Sequence, residues 1–90
     1  MARTLLKGAE IALPITTGTA TSFSQATVVR LVNTSTSTDH LVTVVETQGG
    51  STIGTFTMLR GSTEYLEKQA SYCVFAADTS VRGTKVGFTG

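Results

Sequence analysis

Asp39, His40 and Cys73 come closest in this chain to a catalytic set, with a thiol, a base and an orienting acid. Their placement argues against that chemistry. Neighbouring residues of a strand point to opposite faces, so Asp39 is poorly placed to orient His40. The plainer reading is a turn aspartate, a histidine opening a strand and a small buried thiol. Glu64 and Glu67 form a second candidate, the paired carboxylates of a glycoside hydrolase. Their odd spacing sets them on opposite faces of a strand, and there is no tryptophan to stack on a sugar. They read, with Lys68, as the solvated edge of a strand.

The remaining motifs are weaker. One histidine and one cysteine supply neither a structural metal set nor an internal disulfide. Gly49, Gly50, Gly54 and Gly61 match no phosphate-loop spacing and read as turn and bulge residues. Asn33-Thr34-Ser35 spells a glycosylation sequon, but the N-terminal segment is too short in apolar residues for a secretory signal. No catalytic residue, cofactor or metal is expected.

The residues that stand out suit contact instead of catalysis. Arg30 is a charge inside the most apolar strand, Ala26 to Asn33. It either pairs with a carboxylate such as Glu46 or faces a partner subunit, and the internal pair is favoured. Leu5 and Leu6 are adjacent, so a strand cannot bury both on one face. Arg3 and Lys7 flank them, and Gly8 offers a hinge. Residues 1–9 therefore read either as an arm that docks on a partner or as an extra strand of the same domain. Arg3, Leu5, Leu6 and Arg30 are the candidate interface residues.

What must position these residues is a set of short strands. Apolar residues recur with period two between turns of Gly, Ser, Thr, Asn and Asp. Segments near 10–16, 26–33, 40–47, 52–60, 63–68, 72–77 and 81–89 each read as a strand. Residues 61–69 could at most form one helical turn. Gln48-Gly49-Gly50-Ser51 is the clearest hairpin turn. The fold class predicted is all-β, a single antiparallel β-sandwich of about seven short strands over residues 1–90. Val28, Val32, Leu41, Val45, Phe56, Val74, Phe75, Val86 and Phe88 are expected in the core, with Ile11, Leu13 and Ile15 sharing one face.

Composition points to assembly. The 90 residues include 18 threonines and eight serines, and only 14% are charged, against ~25% in ordinary soluble domains. Net charge is +1 and the seven basic residues are scattered, so no electrostatic footprint for nucleic acid is present. No apolar run approaches the ~20 residues of a membrane helix. A chain this small hides only about 60% of its unfolded surface, so burial against other subunits would add stabilisation. A homo-oligomer is expected.

The last third of the chain adds a resemblance. Leu66-Glu67-Lys68 precedes a short apolar strand, Tyr72-Cys73-Val74-Phe75-Ala76-Ala77, then a turn and a closing Thr84-Lys85-Val86-Gly87-Phe88-Thr89. This style of sequence resembles small β-sandwich virion proteins of tailed bacteriophages. It carries no functional residue across. The resemblance implies a non-enzymatic virion component made in the host cytoplasm, most simply a capsid decoration (cement) protein. A neck or tail accessory protein is the alternative. Its partners would be copies of itself and other virion proteins such as the major capsid protein, with a trimer expected on a capsid and a six-fold ring on a tail. A host-recognition or adhesin-like module is a rival from another class, but its loops would carry exposed aromatics where these carry Thr, Ser and Gly.

Overall fold

The period-two pattern is realised mainly as strands, although the segment expected over 10–16 is a strand only at Ile11–Ala12. The computed structural model describes residues 3–89; Met1 and Ala2, the first residues of the expected arm, and Gly90 lie outside them. The strands are β1 (Arg3–Leu6), β2 (Ile11–Ala12), β3 (Val28–Asn33), β4 (His40–Val45), β5 (Thr52–Met58), β6 (Thr63–Glu67), β7 (Cys73–Ala76) and β8 (Val81–Thr89). One sheet runs β1–β8–β3–β6, with β2 also paired to β8, and the other runs β5–β4–β7. Every strand pairing is antiparallel. The described residues form an all-β sandwich of eight strands, one more than the seven segments the pattern marks. Within residues 61–69, Thr63–Glu67 form β6 in place of a helical turn.

The core parity differs from the expected one in β3 and β4. Val29, Leu31 and Asn33 point inward, while Val28 and Val32 lie on the outer face. Both faces of this strand are apolar, so hydrophobicity alone cannot fix its register. The charge decides it: Arg30 must face out, and Val28 and Val32 share its parity. In β4, Val42 and Val44 join the main core with Leu13, Phe23, Met58, Val74, Ala76 and Val81. Leu41 is exposed, and Val45 is buried on the other face in a small cluster with Ala20 and Cys73. Val74 and Val86 are buried as expected, Phe56 and Phe75 only partly, and Phe88 is exposed. Of the trio Ile11, Leu13 and Ile15, only Leu13 enters the core. The uneven alternation of β5 has a local cause, a bulge that sets Thr52 opposite Val45 and Gly54 opposite Val44, leaving Ile53 as the extra residue.

Asn33 ties a corner of the core. Its amide donates to the carbonyls of Met58 at 3.0 Å and Thr38 at 3.2 Å, and its side-chain oxygen accepts from the Ser35 amide at 3.0 Å. The residue is fully buried, which closes the sequon to a glycan.

Phe23, Ser24 and Gln25 all take left-handed backbone angles, with φ of 55°, 55° and 61°. Left-handed backbone costs about 1–2 kcal/mol per non-glycine residue. Opposing that cost, the Phe23 ring is buried in the core, the Gln25 amide donates to the Ser22 hydroxyl at 3.2 Å, and Ala26 closes the turn on Ser22 and Phe23. Ser24 is exposed, so Ser24→Gly should remove strain without losing packing. We expect it to stabilise the fold by about 0.5–1 kcal/mol, the left-handed penalty less the added chain entropy of glycine. The midpoint of urea unfolding measures this, and a midpoint moved down would show the turn is not strained.

Candidate interaction surface

The two flanks of the sandwich are closed differently. On one flank the chain crosses from sheet to sheet along residues 11–21. The Leu13 amide bonds the Val81 carbonyl, the Ala76 amide bonds the Pro14 carbonyl, and Thr21 pairs with Val74 in both directions. That lacing covers the edge of β7. The Thr17–Thr19 turn follows, and Gln48 fastens the segment by donating to the Ala20 carbonyl at 2.9 Å.

On the opposite flank β5 and β6 are edge strands, and among the described residues their outer edges have no strand partner. Between them opens a groove of about 250 Å³ lined by Val44, Ile53, Phe56, Leu66 and Tyr72. β5 carries no charge over its seven residues, Thr-Ile-Gly-Thr-Phe-Thr-Met. Long uncharged edges are what soluble proteins usually blunt with Lys, Pro or a covering loop, because they template pairing with another chain.

Lys68 lies at the end of this groove, and it is not the solvated residue its neighbours Glu64 and Glu67 suggest. The residue is 7% exposed. Its Nζ donates to the carbonyls of Ala26 at 2.7 Å and Ser22 at 3.0 Å, with longer contacts to Gln69 and Ala70 at 3.3 Å. The ammonium thus clasps both ends of the left-handed turn. Burial pulls its pKa below the ordinary lysine value, with Cys73 acting weakly the other way.

Arg30 has an internal carboxylate, but it is Glu10 and not Glu46. Glu10 reaches Arg82 at 2.9 Å and Arg30 at 3.7 Å on the outer face of the β8-containing sheet. Glu46 follows β4 in the other sheet, which puts it out of reach. The same outer face holds Tyr65 and Phe88, whose ring centroids are 5.3 Å apart, and the Tyr65 hydroxyl lies 3.4 Å from that of Thr4. Thr4 and Tyr65 belong to strands separated by β8 and β3, roughly 14 Å in a flat sheet. The Tyr65 side chain therefore lies along this face, reaching across β3 and β8 toward β1. The hydrogen bond to Thr4 lowers the Tyr65 pKa, and Arg30 adds to that.

Arg3–Leu6 pairs with β8 of its own molecule, Leu5 opposite Gly87 and Leu6 opposite Val86. Pairing leaves its leucines in water all the same: Leu5 is 50% and Leu6 67% exposed. Leu41, Ile53 and Leu59 add further exposed apolar side chains.

The structure does not bring the chemical candidates together. His40 opens β4, whereas Cys73, the first residue of β7, pairs with Val45 at the far end of β4, a separation of about 16 Å. Asp39 turns to Arg60 instead, accepting from its amide at 2.9 Å. Glu64 and Glu67 sit opposite Leu31 and Val28 of β3, on different faces. No helix among the described residues is long and apolar enough to cross a membrane. Comparison with protein-family models, with curated proteins and with solved structures finds no match to this chain.

Proposed function

We propose that this chain is a non-enzymatic structural subunit of a tailed-phage virion, most simply a capsid decoration protein set among copies of itself and the major capsid protein. The observation that supports the structural role is the open flank: two edge strands whose outer edges have no partner among the described residues, on either side of an apolar groove, one of them without a charge. A freely diffusing domain exposes such an edge at the risk of aggregation, whereas a subunit fixed in a shell covers it. The low charge content supports the same reading, and the virion setting rests on the resemblance in residues 61–90.

The test is mass spectrometry of purified particles, quantified against the major capsid protein. Hundreds of copies per particle are expected for decoration. Six or twelve copies would move the protein to the neck or tail, and absence from particles would end the virion reading.

A further inference from the structure

We infer that copies of this protein join head to tail, the β1 edge of one copy adding in sheet register to the β6 edge of the next. The inference rests on the structural-subunit reading for its biological setting, although its chemistry lies wholly within this chain.

β1 and β6 are the two end strands of one sheet, and their free edges are complementary. The Lys7 amide bonds the Lys85 carbonyl, so the odd residues of β1 face β8 and the groups of Thr4 and Leu6 point outward. On β6, Lys68 bonds Thr27 and the Ser62 carbonyl receives Asn33. The even residues there face β3, and Thr63, Tyr65 and Glu67 point outward. An antiparallel register with Leu6 of one copy opposite Tyr65 of the next satisfies both edges. It also sets Leu5 opposite Leu66 at the apolar groove, Lys7 opposite Glu64, and Arg3 opposite Lys68, whose ammonium is turned inward onto the Ser22 and Ala26 carbonyls.

Charge selects this pairing over its rivals. β1 is bracketed by Arg3 and Lys7, whereas β6 carries Glu64 and Glu67. Joining β6 to β6 would bring four carboxylates together, and β1 to β1 four cations. Opposite edges of one sheet attract; like edges repel. A seam between different surfaces cannot close on two copies, so it builds a ring or a filament.

Sedimentation velocity across micromolar to submillimolar concentrations reads the assembly, with circular dichroism confirming the fold of each variant. The wild type should grow beyond a dimer as concentration rises. Lys7→Glu or Glu64→Lys alone should weaken association about tenfold or more, by placing like charges across the seam. Both changes in one chain should restore it. A second readout uses two separate chains, Leu5→Cys and Leu66→Cys, mixed and oxidised. A disulfide-linked pair should form only in the mixture, because the seam sets those positions opposite each other.

A monomer at every concentration would overturn the inference. So would a closed dimer indifferent to the charge variants, which would point to β5 pairing with its own copy. Loss of association that the double swap leaves unrepaired would also overturn it. Absence from virions would remove the virion reading and leave the seam intact, so the two failures are separable.

Discussion

Lys68→Met is expected to lower the stability of the fold by about 3–5 kcal/mol, since it strips a charged donor from carbonyls that lose their contact with water. The two short bonds decide the size. Ala26 at 2.7 Å and Ser22 at 3.0 Å flank the three left-handed residues, so the clasp and the strained turn are lost together. A domain of this size has a total stability of roughly 5–15 kcal/mol. The change should therefore bring the melting temperature down by about 15–25 °C. Methionine keeps most of the aliphatic stem, which isolates the ammonium from the packing. A fall of less than about 1 kcal/mol would show that the carbonyls find water when the ammonium is gone.

The pH dependence has a definite sign. Burial lowers the Lys68 pKa in the folded chain, so the unfolded chain holds that proton more tightly. Wherever the unfolded state binds more protons, stability rises with pH. The wild type should gain stability through the alkaline window that ends at the ordinary lysine value, and Lys68→Met should lack that rise. Urea unfolding at stepped pH on both proteins reads the difference.

Why the strands were legible and the clasp was not follows from what each leaves in the sequence. Strands announce themselves by period two, and the Gly49-Gly50 pair marks the β4–β5 turn, where Gly49 takes a φ of 70°. The left-handed turn leaves no such mark: Phe23, Ser24 and Gln25 include no glycine or asparagine, the residues that normally signal φ above zero. Lys68 follows Glu67 and so looks solvated, yet it sits one residue past the end of β6, where the chain turns inward. The parity of β3 was available in principle, because Arg30 fixes which face meets solvent. Val28 and Val32 simply look as apolar as Val29 and Leu31. The lacing of residues 11–21 depends on distant partners in β7 and β8, so local pattern could not show that, of Ile11, Leu13 and Ile15, Leu13 alone is buried. The same holds for the interface candidates. Adjacent Leu5 and Leu6 mark a segment that cannot bury both side chains on one face, but only the sheet order shows that their strand and the acidic β6 are the two ends of one sheet.

Gly83→Val should rank with the loss of Lys68, costing about 3 kcal/mol or more, and Gly83→Ala about 1–3 kcal/mol. A Cβ at this position would lie 2.8 Å from Leu31 Cδ2 and 2.8 Å from Phe23 Cζ, closer than carbon atoms can pack. Side-chain ends can often move aside, but these two cannot move freely: Leu31 is fully buried and Phe23 is held at the head of the left-handed turn. The glycine is thus required by the close approach of β8 to the Phe23 ring and not by its own backbone angle. Gly54 is the matched control, because a Cβ there meets nothing within 4 Å. Gly54→Ala should be neutral or stabilising by about 0.5 kcal/mol. If crowding is the cause, trimming the neighbour should help, and Leu31→Val combined with Gly83→Ala should cost less than the sum of the two single changes. Urea midpoints for the four proteins measure that coupling. Simple additivity would mean that Gly83→Ala acts through the backbone, and the crowding account would then fail.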